Sequence, residues 1–162
     1  MDEKDERILE ILQADGRITN VELARMVELT PSATLERVRK LEERGLIKGY
    51  MALLDAKALG LPLVAFIFLR VDGIENVFGA ADETGERLAA LPSVQEVHHL
   101  AGEDCFIVKV RARDTDDLYR VLKQEFGSIK SIRSTRTTIV LNTVKETPRL
   151  SWQGKAGVVD GK

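Results

Sequence analysis

Apolar residues recur at helical spacing through the first third of the chain, and Ile8, Leu9, Ile11 and Leu12 share one face of a predicted helix. Asp2, Glu3, Asp5 and Glu6 stand at its start, where carboxylates complement the positive end of the helix dipole. Asp15-Gly16-Arg17 ends it. Thr19-Asn20-Val21-Glu22 has the form of a capping box, which opens a second helix with an inward stripe of Val21, Leu23, Ala24 and Val27. That helix stops near Glu28-Leu29, and Thr30-Pro31 restarts the chain, with Thr as N-cap and Pro at the first helical position. Leu35, Val38 and Leu41 are expected to carry the third helix inward, with Gly45 terminating it. Two helices joined by so short a turn cross steeply, as in a helix-turn-helix.

After Gly45 the period changes. Ile47–Leu54 reads as a short strand and Ala56–Pro62 as a linker. Leu63–Val71, β-branched and aromatic, fits a buried strand, and Asn76–Leu91 reads as a helix interrupted by Gly79 and Gly85. Val94–Leu100 and Cys105–Ala112 form a predicted hairpin around Ala101-Gly102-Glu103-Asp104. Thr115-Asp116-Asp117 is expected to cap a helix carrying Leu118, Val121, Leu122 and Phe126, and Ile129–Val144 to form a long last strand. The order β-α-β-β-α-β is the ferredoxin-like pattern. One sheet face would then stay apolar through Phe66, Phe68 and Ile107, which invites dimerisation. The predicted class is α+β: a helix-turn-helix domain over 1–50, a hinge strand and linker over 51–62, a ferredoxin-like domain over 63–146, and a mobile tail over 147–162 partly pinned by Trp152.

Composition places the chain among ordinary globular proteins, with 162 residues, 44% hydrophobic, 31% charged and a net charge of −2. The lone Cys105 excludes an intrachain disulfide and suits a reducing cytoplasm. The longest apolar run, Leu61–Leu69, is too short for a membrane helix, and the acidic N-terminus is unlike a signal peptide. A slightly acidic protein is not an obvious DNA ligand, but the charge is segregated. Residues 1–30 hold four cations against eight anions; residues 31–48 hold five cations against three anions. The third helix is the locally basic one, so its partner is expected to be double-stranded DNA. Ser32, Ala33, Thr34 and Arg37 are placed to read the major groove, with Thr30 and Glu36 beside them, while Arg39, Lys40, Arg44 and Lys48 meet phosphates.

Nothing in the pattern supports catalysis, a cofactor or a metal. His98 and His99 are neighbours on a predicted strand and point to opposite faces, so they cannot jointly hold one metal. Cys105 has acidic neighbours that disfavour a thiolate, which makes it a small hydrophobe.

Asp5-Glu6-Arg7-Ile8-Leu9, Asp15-Gly16-Arg17, Asn20-Val21-Glu22-Leu23-Ala24, Thr30-Pro31, Leu35-Glu36-Arg37-Val38-Arg39-Lys40-Leu41-Glu42, Glu43-Arg44-Gly45-Leu46-Ile47-Lys48-Gly49-Tyr50 and His99-Leu100-Ala101-Gly102-Glu103 closely resemble the Lrp/AsnC (feast/famine) family of transcription regulators. The resemblance covers residues 2–146. It implies a recognition role for the third helix and an effector-binding, oligomerising role for the second domain. It also implies homodimers assembling further, often to octamers, and an amino-acid effector held around Leu100, Ala101, Gly102, Glu103 and Asp104. Two positions depart from the family. Glu28 stands where a glycine is usual between the second and third helices, and Gly102-Glu103-Asp104-Cys105 replaces the frequent Gly-Asp-Tyr-Asp. Two alternatives resemble the same layout: a siroheme-decarboxylase-like enzyme using His98 or His99, and an architectural DNA-wrapping protein without a ligand.

Overall fold

The computed structural model describes residues 1–72, 80–102 and 105–152, and divides the chain into two compact units. The first comprises Met1–Leu53 together with the segment that begins at Glu146; the second is Leu54–Lys145.

The helical unit contains α1 (Glu3–Ala14), α2 (Asn20–Met26) and α3 (Pro31–Glu43). Each start is fixed locally. Asp2 caps α1 in a full capping box with Asp5, and Thr30 accepts from Ala33 N–H at 3.2 Å ahead of Pro31. Thr19 caps α2 by accepting from Glu22 N–H, but the Glu22 carboxylate turns to Arg25 at 2.6 Å instead of reaching back, so the expected reciprocal box is only half made. The core is Ile8, Ile11, Leu23, Val27 and Leu41, with Ala24 also buried. Val21 and Leu35, expected inside, are 68% and 59% exposed. The inward line of α3 runs Thr34, Val38, Leu41, which puts Leu35 about one residue's rotation off it.

The sheet unit holds β1 (Leu63–Val71), α4 (Ala80–Ala89), β2 (Val94–His99), β3 (Phe106–Ala112), α5 (Thr115–Arg120) and β4 (Ile132–Ile139). The α5 helix continues as a π turn over Val121–Glu125 and a tight turn over Phe126–Ser128. The sheet is antiparallel in the order β2-β3-β1-β4, the ferredoxin-like arrangement. Alternate residues Ala65, Ile67, Leu69 and Val71 of β1 and Phe106, Val108, Val110 and Ala112 of β3 pack against Leu88 of α4 and against Leu118, Val121 and Phe126. Gly85 lies within α4 instead of interrupting it; a Cβ there would meet the Phe106 ring at 3.3 Å, so the glycine lets helix and sheet close up.

Other expectations change for physical reasons. No strand forms over Ile47–Leu54, because that segment has no neighbouring strand to bond. Asp114, not Thr115, caps α5, by accepting from Asp117 N–H at 2.7 Å. The last strand spans eight residues instead of sixteen: Val140 N–H still reaches Val64 O, and beyond it β1 offers no partner. The Asn76–Gly79 start of the expected helix lies outside the described residues. The open sheet face is mixed rather than apolar. Phe66, Phe68 and Ile107 are half-buried among Lys109, Arg111 and Arg136, with the Arg136 guanidinium 4.0 Å over the Phe68 ring.

The tail, expected to be mobile and partly pinned by Trp152, is docked over its described part. Arg149 donates from Nε to Gln13 O at 3.2 Å and from Nη2 to Ala14 O at 3.1 Å. Leu150 N–H donates to Gln13 Oε1 at 2.8 Å, and Gln13 Nε2 donates to Leu150 O at 3.2 Å. Trp152 is half-buried, and the bonds that hold the segment come from Arg149 and Leu150.

Candidate nucleic-acid interface and effector loop

The turn between α2 and α3 sets the interface. Glu28 is left-handed at φ 55, and its carboxylate meets Lys4 Nζ at 3.5 Å. A side chain at that φ costs on the order of 1 kcal/mol, so the exposed ion pair offsets only part of the strain. Asn20 Nδ2 donates to Pro31 O at 2.8 Å and ties the start of α2 to the start of α3. Gly45, at φ 70, closes α3, with Leu46 N–H returning to Leu41 O.

The first turn of α3 sorts the residues expected to read bases. Thr30 and Ser32 are exposed, with their hydroxyls 3.2 Å apart, and Ala33 is half-buried. Thr34 is fully buried and its hydroxyl donates to Thr30 O at 3.0 Å, so it packs α3 instead of facing outward. Arg37 is also engaged. Its Nη1 donates to Asp2 Oδ2 at 2.8 Å and Asp5 Oδ1 at 2.7 Å, the oxygens left over from the capping box of α1. The Asp5 N–H bond and then Arg37 hold the Asp2 carboxyl below its ordinary range. In this position Arg37 latches α3 to the start of α1. Sequence spacing did not show this; the signal available was an acidic helix start with one arginine able to reach it.

The remaining charges divide clearly. Arg39 pairs with Glu43 at 2.8 Å and Lys40 with Glu36 at 3.4 Å, both on the exposed surface. Glu42 accepts from the Tyr50 hydroxyl, whose pKa partial burial and that carboxylate push up to about 12. Arg44 and Lys48 are exposed and make no ion pair among the described residues. Exposed pairs such as Arg39–Glu43 are worth well under about 1 kcal/mol and can exchange partner at little cost. A shallow concavity of about 420 Å³ runs beside α3, lined by Asp5, Ala33, Glu36, Arg37, Lys40 and Arg44 among others.

In the sheet unit Leu100 N–H donates to Cys105 O at 2.8 Å, and Cys105 N–H to Leu69 O at 2.7 Å, which closes the β2-β3 loop. Leu100 is half-buried, and Ala101 and Gly102 are exposed. Gly102 stands at φ 152 with open space where a Cβ would project. Glu103 and Asp104 lie outside the described residues. His98 is 3.4 Å from Glu96 on the open sheet face, whereas His99 stacks on Phe106 at 4.9 Å, so the two do face opposite ways. No cluster able to hold a metal occurs among the described residues. Cys105 packs against the sheet core, as a small hydrophobe would.

A winged helix-turn-helix DNA-binding model matches residues 1–48, and the Lrp/AsnC ligand binding domain model matches residues 64–150. The chain belongs to the Lrp/AsnC family. It is 37% identical over 150 residues to the HTH-type transcriptional regulator FL11 of Pyrococcus horikoshii, covering 93% of this chain and 95% of that one. It is 36% identical over 151 residues to the leucine-responsive regulatory protein of Escherichia coli, covering 93% and 90%. A transcriptional regulator of Neisseria meningitidis, solved as a complex with L-methionine, superposes with a TM-score of 0.84 at 30% identity, covering 93% and 96%. As an Lrp/AsnC protein the chain is a DNA-binding transcriptional regulator with a ligand-binding domain, and its relatives are named regulators, not enzymes.

Proposed function

We propose that this Lrp/AsnC regulator binds its operator through the exposed first turn of α3 and that an amino acid at the β2-β3 loop controls its assembly or DNA affinity. Thr30, Ser32 and Ala33 approach base edges. Arg44 and Lys48 contact phosphates first, joined by Arg39 and Lys40 as their Glu partners are released, with Glu36 limiting which phosphates Lys40 reaches. The observation that carries the reading is the pair of exposed cations, Arg44 and Lys48, that follow a helix capped by Thr30 with Ser32 exposed in its first turn.

Leu100, Ala101, Gly102, Glu103 and Asp104 form the effector loop. The relative solved with L-methionine and the relative named for leucine make amino acids with apolar side chains the first ligands to try. Residues 31–48 hold only five cations against three anions in each chain, so affinity rests on several recognition helices acting together. The assembly unit is a homodimer that associates further, to an octamer. Tyr50, Met51, Leu53 and Leu54 are more than half exposed in the single chain, and the half-buried Phe66, Phe68 and Ile107 offer further surface for a second copy. With DNA as its partner, the protein works in the cytoplasm; no helix among the described residues is long and apolar enough to cross a membrane.

The test is fluorescence anisotropy on a labelled duplex from upstream of the protein's own coding sequence, against a scrambled duplex, with and without L-methionine or L-leucine. Preference for the upstream duplex that shifts with ligand is the expected result, and Arg44→Ala should weaken both duplexes and reduce the salt slope by about one. Equal binding to both duplexes with no ligand response would favour an architectural wrapping protein.

A further inference from the structure

The last turn of α1 contains no basic residue, although the carbonyls of a helix end need partners. Asp15 N–H satisfies Ile11 O. The next partners come from 135 and 136 positions away, where the Arg149 guanidinium spans the consecutive carbonyls of Ala14 and Gln13. The Gln13 side chain then takes both backbone groups of Leu150, accepting its N–H and donating to its carbonyl. Thr147 Oγ1 accepts from Arg149 N–H at 3.1 Å and shapes the segment for this contact. Burial does not hold it: Leu150 is 75% exposed. Four polar bonds, made by the exposed Arg149 and Leu150, give a dock that is formed but releasable.

We propose that residues 147–150 act as a strap on the DNA-binding unit, holding the C-terminal end of α1 when docked and lowering DNA affinity when released. The other end of α1 is latched to α3 through Asp2, Asp5 and Arg37, so α1 passes the strap's hold to the helix that meets DNA. The chain also leaves this unit at Leu53 and re-enters it at Glu146, which gives the ligand-binding unit two covalent connections to it. The affinity half of the proposal rests on the α3 reading above; the docking half does not.

The full-length protein is compared with Arg149→Ala, Arg149→Lys and Leu150→Pro by hydrogen exchange and by anisotropy on the upstream duplex. Leu150→Pro deletes one amide donor at an exposed site and changes no charge. Exchange protection in the last turn of α1 should fall about tenfold in Arg149→Ala and Leu150→Pro, and DNA affinity about three- to tenfold. Arg149→Lys should recover part of both, since an ammonium cannot span two carbonyls as a guanidinium does. Unchanged protection overturns the dock. Lost protection with unchanged affinity overturns the strap. Protection that falls on dilution assigns the segment to another copy and overturns docking in cis. If the parent binds no DNA, the α3 reading fails while the exchange arm still judges the dock.

Discussion

The two units of this Lrp/AsnC regulator are held together by different means. The sheet unit closes thirteen buried side chains into one apolar cluster between a four-stranded sheet and its helices, whereas the helical unit has five among the described residues. Half-buried side chains such as Leu9, Leu12 and Val38 pack around those five, and polar attachments add to them: Arg37 to Asp2 and Asp5, Asn20 to Pro31, Lys4 to Glu28 and Arg149 to the end of α1. A small core leaves little margin, so single bonds matter more there. The part of the molecule that must fit DNA is the part least able to lose a contact.

The sharpest test of that contrast is a pair of core truncations. Leu41→Ala and Ile67→Ala each remove a buried branched chain at a cost of about 2–5 kcal/mol. In chemical denaturation Leu41→Ala should split unfolding into two transitions, with the sheet surviving; Ile67→Ala should shift the sheet transition only. A single shared transition in both variants would mean the units are not independent.

Arg37→Ala comes next. It strips Asp5, only 14% exposed, of its cation and should cost the helical unit about 1–2 kcal/mol. DNA affinity should fall on operator and scrambled duplexes alike. A selective loss on the operator would return Arg37 to base reading. Glu28→Gly relieves the left-handed strain and should stabilise the helical unit by about 0.5–1 kcal/mol in thermal unfolding, with the sheet unit unmoved. Loss of stability there would show that the Lys4 pair outweighs the strain.

The weakest effect is set by pH. Hydrogen bonds from the Arg113 side chain and backbone hold Asp117 down to about 2, from an ordinary value of 3.8. A carboxyl lowered on folding stabilises above its unfolded pKa. That contribution is present above pH 3.8 and drains away as pH falls toward about 2. Asp117→Asn should remove this part of the acid sensitivity of the sheet unit; an unchanged acid profile would mean the Arg113 contact is absent in solution.

Much of this was legible in the chain, because local chemistry wrote it. Thr30-Pro31 fixed the start of α3 by a bond within four residues, and the β1 run coincided with its strand at Leu63–Val71. The losses have a common cause, which is dependence on something distant. Ile47–Leu54 is not a strand because no strand lies beside it, and the last strand ends where β1 ends. Leu35 and Thr34 exchanged roles by a single residue's rotation, a difference an apolar count cannot resolve when a threonine can bury its hydroxyl on Thr30 O. Arg37 looked like a reader of bases because its carboxylate partners stand 32 and 35 residues earlier. At the β2-β3 loop the turn and Gly102 were legible, and Cys105 took the apolar role its neighbours suggested.

The bonds from Arg149 to α1 also bear on the order of events at the ribosome. Chains emerge from the N-terminus, and domains ordinarily fold as they appear. Here α1, α2 and α3 are made first, yet the groups that finish the end of α1 arrive only after the whole sheet unit has been synthesised. A nascent chain therefore presents a helix-turn-helix with one end uncapped until residue 149 is clear of the exit tunnel.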